Sequence, residues 1–356
     1  MKKYMLVDSD DRKQYNAGGK GMNDIYKIAS GSGFEIIPVK RPGEAANFFQ
    51  KVKRKFVSYI NWEKIYNHIE RESIVFLIWP FILNSQFRTH TYLKLKKRKK
   101  VKFIVLTFDI FELQYGWKNG FFDMCCVVPD VLIVHNDEMK QWLIEHGVDE
   151  EKMVCIEIFD YLRDDDKDYC MPKFEKSITL AAGNLSREVA GYAYEFDRLP
   201  GIKVNIYGKN YDTSLNKSDN VFYCGCVPGE ELSDKLTSGF GLVWYCKSLE
   251  ESENDDQTWA RYLKYNNPNR LSLYLSSGLP VVIWNKAATA KLIKKYNLGI
   301  TVNSPLELPG ILENMTEEEY SQMALNVSEI AKKLRKGYFT ETAIEKAVER
   351  INSKRQ

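Results

Sequence analysis

The sequence predicts an α/β protein of two successive doubly wound domains with a cleft between them, and three observations carry that reading. Short apolar runs alternate with amphipathic stretches through the N-terminal half. An acidic segment containing a proline then interrupts the pattern at residues 159–176. Beyond it the same alternation resumes, and a chain of 356 residues is long enough for two such cores.

In the first half "KYMLVD", "FEIIPV", "SIVFLIWP", "VKFIVLTFD" and "VLIVHN" read as buried strands of a parallel sheet, apolar on both faces and rich in β-branched residues. Helical patterns such as "MNDIYKIASGSG" and "NDEMKQWLIEHG" lie between them, which gives βαβ alternation. "FDYLRDDDKDYCMPKFEK" loses apolar periodicity and collects acids, so it reads as the linker. The strands "SITLAAG", "KVNIYG", "NVFYCGCV", "FGLVWY" and "LPVVIW" follow, with helices "GEELSDKLTSG", "NRLSLYLSSG" and "TAKLIKKYNLG". After Pro309 the chain reads as helical to its end, and beyond Gly337 it can cross back to the first domain. The expected division is 1–160, a linker at 161–176, 177–337, and a last helix at 338–356. Sheets of this kind bind ligands at the carboxyl ends of their strands, which places the site in the cleft.

Composition excludes several classes of function. No run reaches the roughly 18 apolar residues of a membrane span, and the N-terminus turns acidic before a signal peptide could develop, so a cytoplasmic protein is expected. The seven cysteines, at 125, 126, 155, 170, 224, 226 and 246, form no CxxC pair and read as buried thiols. Four histidines without HExxH spacing exclude a histidine-built metal site, and the Asp-x-Asp strings at 8–10 and 164–166 are not read as metal ligands. A net charge of +3 does not point to nucleic acid. The run "KLKKRKKVK" at 94–102 is either a solvated helix end or a patch facing an anionic membrane or a phosphate-bearing substrate. A homo-oligomer is left open.

The segment "NNPNRLSLYLSSGLPVVIW" at 266–284 asks the sharpest question. Asn267 or Asn269 reads as its helix cap and Gly278 as its stop, so Arg270 falls in the first turn. A cation there opposes the helix dipole at about 0.3 to 1 kcal/mol unless an anion shares the site. Phosphate oxygens would remove the conflict, and so would a carboxylate from the linker.

Arg270 followed by Gly278, Pro280 and "VVIW" is similar to the segment of GT-B glycosyltransferases in which a basic residue grips the nucleotide pyrophosphate. Together with "SGFGLVWY", "LRKGYFT" and "NAGGKGMNDI", it resembles bacterial galactofuranosyltransferases and the glucosyltransferase that extends serine-rich adhesin glycans. The resemblance implies a GT-B fold and transfer of a hexose from a UDP-sugar to a glycan acceptor on lipid or protein, without a resident cofactor. It ranks UDP-galactofuranose first, then UDP-glucose or UDP-N-acetylglucosamine. In "ITLAAGNLSR" it places Gly183, Asn184 and Arg187 facing the donor phosphates. Tyr207 stands at the turn where base or ribose rests, Val227 and Pro228 line the nucleobase, and Asn269 and Arg270 hold the phosphates. Asn16, Gly18 and Gly19 read as a mobile loop on the acceptor side, because paired glycines permit close backbone approach.

Asp109, at the carboxyl end of an otherwise apolar strand, is the expected catalytic base, with Glu112 second. Phe108 stands where the family usually has a His. Leu273 stands where retaining enzymes of the fold carry a Glu, which argues for an inverting, metal-independent displacement. The alternative function is a non-catalytic subunit that binds a glycan or a partner transferase. An epimerase is disfavoured, since neither a Rossmann glycine fingerprint nor a suitably placed YxxxK pair occurs.

Overall fold

A computed structural model describes residues 1–9, 17–40, 46–80, 86–115, 126–163, 171–216, 218–250 and 258–353. Its first sheet contains β1 (Lys3–Ser9), β2 (Glu35–Lys40), β3 (Ile74–Trp79), β4 (Lys102–Thr107), β5 (Val131–Val134) and β6 (Met153–Cys155) in the order β2-β1-β3-β4-β5-β6. The second contains β7 (Lys173–Ala182), β8 (Lys203–Gly208), β9 (Val221–Tyr223), β10 (Ser238–Val243), β11 (Val281–Trp284) and β12 (Gly299–Val302) in the order β12-β11-β10-β7-β8-β9. Every pairing is parallel, from Lys3 against Ile74 in one sheet to Gly241 against Thr179 in the other. Strand order reverses between β1 and β3 and again between β7 and β10, so each sheet offers a crevice at its carboxyl edge.

The helices of the first half are α1 (Ala17–Gly31), α2 (Phe48–His68), α3 (Gln86–Lys99), α4 (Phe111–Tyr115) and α5 (Asp137–Glu145). Those of the second are α6 (Gly229–Ser233), α7 (Thr258–Leu263), α8 (Asn269–Ser276), α9 (Ala290–Tyr296), α10 (Leu308–Asn314), α11 (Glu317–Lys336) and α12 (Tyr338–Ser353).

Several expectations are corrected. β6 and β12 are additional short edge strands whose three or four residues carry too little pattern to stand out. β7 begins at Lys173, inside the segment read as linker, because its first four residues are mostly solvated and lack apolar periodicity. Gly18 and Gly19 lie in the first turn of α1, not in a loop, while Asn16 lies outside the described residues, as do Asp10 of the first Asp-x-Asp string and all of the second. The thiols are less buried than expected: Cys246 is buried, Cys126 and Cys155 are half-buried, and Cys224 and Cys226 are exposed beyond the short β9 edge. Cys125 and Cys170 lie outside the described residues.

The C-terminal crossing follows from local chemistry. Thr316 and Glu319 close a reciprocal capping box at the start of α11, three glutamates fill its first turn, and Lys333, Arg335 and Lys336 fill its last. Gly337 ends it at φ +81°, and a Cβ there would lie 2.7 Å from Ile28 of α1, so the turn is both left-handed and tightly packed. Asp160 then supplies the cap of α12 from far away in sequence, accepting from the amides of Phe339 at 3.3 Å and Thr340 at 2.6 Å. With Ala343, Ile344, Ala347 and Ile351 on its buried face, α12 packs against the first sheet, and one apolar cluster runs continuously through both halves.

Candidate active site

Strand ends from both sheets converge on a cavity of about 280 Å³. Phe108 and Asp109 come from beyond β4, Gly183 from just beyond β7, Tyr207 from β8, Tyr245 from just beyond β10, and Asn266–Arg270 from the segment entering α8. Of the residues expected from the sequence, Asp109, Gly183, Tyr207, Val227, Asn269 and Arg270 line it.

Arg270 is buried at 8% exposure in the first turn of α8. Its Nη1 donates to the carbonyl of Trp244 at 3.2 Å and to the Tyr192 hydroxyl at 3.4 Å, and its guanidinium lies 4.5 Å from the centre of the Tyr245 ring. Burial opposes its charge, but the hydroxyls of Tyr245, Tyr192 and Tyr274 outweigh that, so its pKa is raised. Arg270 makes no ion pair among the described residues. The linker acids at 164–168 lie outside the described residues, and a buried cation at a helix N-terminus opening on a cavity can receive an anion. Pro268, not an asparagine, occupies the cap position, and it supplies no side-chain cap hydrogen bond to α8.

Asn267 is used differently from the cap it was expected to be. Its Nδ2 donates to the carbonyls of His135 at 2.9 Å and Glu157 at 3.1 Å, and its Oδ1 accepts from Asn136 Nδ2 at 2.8 Å. Its backbone amide donates to His135 Nδ1 at 2.9 Å, which leaves Nε2 to donate to the Thr107 carbonyl at 2.9 Å. Burial pushes the His135 pKa down to about 4, so the ring is neutral and fixed in one tautomer.

Asp109 sits half-buried two residues beyond β4. Burial pushes its pKa up to about 7, with the Tyr262 hydroxyl holding it down in part. The same hydroxyl accepts from the Ile110 amide at 3.1 Å. Tyr262 belongs to α7 yet packs in the core of the first sheet, so it ties Asp109 to the connection between β10 and β11 of the second sheet. Phe108, in place of the family's His, lies 5.2 Å from the Phe159 ring and is an apolar wall. Glu112 is buried and does not line the cavity.

Three expected donor-side residues are not brought to the cavity. Arg187 is exposed in the turn after β7, where the amides of Val189 and Ala190 bond back to Ser186 and direct the intervening side chains to solvent. Two guanidiniums therefore do not converge here. Asn184 accepts from Ser186 N and Asn210 Nδ2 and stabilises its own turn, while Pro228 precedes α6 without lining the cavity.

Sequence reasoning missed Tyr161, Tyr245 and Gly21. Tyr161 lines the cavity and donates to the Gly229 carbonyl at 2.9 Å, although its surroundings read as linker. Tyr245 is the last residue of the apolar run "FGLVWY", where an aromatic reads simply as strand. Gly21 faces α8 so closely that a Cβ would lie 2.7 Å from Asn269 Oδ1 and 3.4 Å from Phe108 Cζ. Its signal was the third glycine of "GGKG".

Comparison with known proteins adds to this geometry. A family described as "Glucosyltransferase 3-like, N-terminal domain" matches residues 3–158, and "Glucosyltransferase 3-like, C-terminal domain" matches residues 180–347. The beta-1,6-galactofuranosyltransferase WbbI of Escherichia coli (strain K12) is 30% identical over 353 residues, covering 99% of this chain and 100% of its own. The apo form of the lipopolysaccharide outer core galactosyltransferase WaaB has a TM-score of 0.62 at 13% identity, over 98% of this chain and 99% of its own. An alpha-glucosyltransferase solved with UDP and a 13-mer DNA has a TM-score of 0.59 at 13% identity, over 99% of this chain and 100% of its own. The likeness to these two structures is one of fold, and the fold is GT-B.

Proposed function

The chain belongs to the glucosyltransferase 3-like family of glycosyltransferases, and from that premise we propose that it transfers a hexose from a UDP-sugar to a glycan acceptor with inversion and without a metal ion. The half built on the second sheet, from β7 onward, holds the nucleotide, and the half built on the first, β1 to β6, presents the acceptor. One observation carries the donor half of this reading: Arg270 is buried against the cavity, bonded to neutral oxygens and stacked on an aromatic ring. A diphosphate at that position satisfies the guanidinium and the open amides of α8 together.

Asp109 is the acceptor-side base in this proposal. Its carboxylate takes the proton of the attacking hydroxyl as that oxygen bonds to the anomeric carbon, and the bond from that carbon to the β-phosphate oxygen breaks. UDP departs with the bonding electrons, and Arg270 meets the charge that develops on it. Leu273 supports a direct displacement, since it puts an apolar side chain where a ribose-holding Glu would stand. No metal is required because the charge already has a partner.

UDP-galactofuranose is ranked first, on the full-length similarity to a protein named for that transfer, with UDP-glucose and UDP-N-acetylglucosamine following. A panel of these UDP-sugars, assayed for UDP release with and without chelator, tests the proposal. Turnover with at least one donor, undiminished by chelator, is expected; turnover with none, or its loss to chelator, would count against it.

A further inference from the structure

The longest helix among the described residues, α2, carries two apolar faces where its place over the sheet requires only one. Its two buried residues, Trp62 and Ile65, lie in its last seven positions and pack with the first sheet's core. The preceding three turns are apolar but solvated: Phe48 is 73% exposed, Phe49 83%, Val52 51%, Phe56 64% and Ile60 36%. Phe48, Val52 and Phe56 recur at helical spacing, with Phe49 and Ile60 on the flank, so they form one stripe, its centre rotated roughly a third of a turn from the face of Trp62 and Ile65.

Lys53 and Lys55 border this stripe, while Lys51 and Arg54 project from the other side of the same turns; all four are exposed, and no acid occurs in α2 before Glu63. The helix is held in shape at its start by Asn47, whose side chain accepts from the Gln50 amide at 2.9 Å, so the stripe is presented on a formed surface. The basic run 94–102, by contrast, is partly engaged within its own domain. Lys94 pairs with Glu63 at 2.8 Å, Lys96 and Lys102 pair with Asp130, and Lys99 donates to the carbonyls of Tyr66 and Ile69.

We propose that the N-terminal three turns of α2 dock on an anionic lipid bilayer, with Phe48, Phe49, Val52 and Phe56 in the headgroup–acyl boundary and the bordering cations at the lipid phosphates. An amphipathic helix with aromatic residues on one face and Lys and Arg beside them lies in the interface plane of a membrane. Each cation near an anionic surface adds to the attraction. Charge complementarity selects this partner over the same face of a second copy of the chain, because these exposed turns carry cations and no acid, so a second copy would offer them only like charge. α2 follows the carboxyl end of β2, so its exposed turns lie on the side of the first sheet that faces the cleft. Docking there brings the acceptor side toward the bilayer. The inference rests on α2 itself and stands apart from the donor reading.

The test is co-sedimentation of the full chain with vesicles of phosphatidylcholine containing phosphatidylglycerol, and with vesicles of phosphatidylcholine alone. Binding to the first, weakened by salt and by omission of the anionic lipid, is expected. Phe48→Ser/Phe49→Ser/Phe56→Ser should reduce it at least about tenfold. Lys51→Gln/Lys53→Gln/Arg54→Gln/Lys55→Gln should reduce it comparably. Both variants should keep the wild-type melting temperature and UDP affinity, since these side chains are solvated and none lines the cavity. No sedimentation of the wild type with anionic vesicles, or equal sedimentation of the Phe variant, overturns the proposal. So does an oligomer that the Phe substitutions dissociate in the absence of any vesicle binding, which would assign the face to a second copy.

Discussion

Asn267 and His135, 132 residues apart, are joined by two hydrogen bonds of 2.9 Å: the Asn267 amide to His135 Nδ1, and Asn267 Nδ2 to the His135 carbonyl. The segment leading into the cation-bearing helix α8 is thereby fixed to the strand end of the first sheet. Neither residue needs to touch a substrate for this to matter, because the link sets where Arg270 stands relative to Asp109.

Asn267→Ala removes three side-chain bonds at a buried position and leaves the carbonyls of His135 and Glu157 without that donor. A loss of about 2 to 4 kcal/mol is expected, from unsatisfied buried acceptors added to the lost bonds. Urea denaturation of the variant beside the wild type measures it, and a loss below about 1 kcal/mol would mean that the link carries little.

Asp109 sets the pH dependence of turnover. A base must be deprotonated, and with a pKa pushed up to about 7 the active form accumulates only as pH rises through neutrality. The rate constant kcat/KM should therefore climb about tenfold per pH unit below 7 and level off above it. Asp109→Asn should remove turnover and keep UDP affinity. A flat profile from pH 5 to 8, or an active Asp109→Asn variant, would displace Asp109 from this role.

Stability should respond to pH through Asp160 in the opposite direction from an ordinary paired carboxylate. Burial, the first cause, lifts its folded-state pKa to about 7, although the Thr340 and Phe339 groups pull it down. Unfolded, it titrates near 4. Its contribution is fully present below about pH 4 and is lost as pH rises through about 7. The stability of the wild type relative to Asp160→Asn should consequently fall by about 1 to 4 kcal/mol between pH 4 and 8. Urea unfolding of both proteins across that range reads the difference, and a difference that grows with pH would contradict the assigned direction.

Gly21→Ala separates packing from function. The added methyl meets the flexible end of Asn269 at 2.7 Å, so Asn269 can turn aside, and alanine favours the helix. Stability should change by less than about 1 kcal/mol. Asn269 lines the cavity, however, and turning it aside should weaken UDP binding measurably. Unchanged affinity at unchanged stability would remove Asn269 from the donor site.

Much of the fold was legible in the sequence because buried parallel strands announce themselves. β3 is buried at every position, and its six residues "IVFLIW" admit no alternating reading. α2 was not legible for the converse physical reason: its apolar residues outnumber its core contacts, and a pattern that faces solvent does not sum to one buried stripe. At the site, Arg270 could be found because a cation in a helix's first turn is an electrostatic conflict visible without coordinates. Asn267 and Tyr262 could not, since their partners His135, Asn136 and Ile110 lie more than a hundred residues away. Arg187 misled because its position after β7 suits a phosphate ligand, and only the local turn decides which way the side chain goes.

The central claim is that the guanidinium of Arg270 receives the diphosphate of the donor without the help of a cation. Isothermal titration of UDP into the full chain in the presence of chelator, beside the Arg270→Ala variant, tests it most directly. The account predicts binding by the wild type under chelation and a loss of about 1.5 to 3 kcal/mol in the variant, the range for a charge-assisted contact. Equal affinity in the two proteins, or wild-type binding that appears only when a divalent ion is restored, would contradict it.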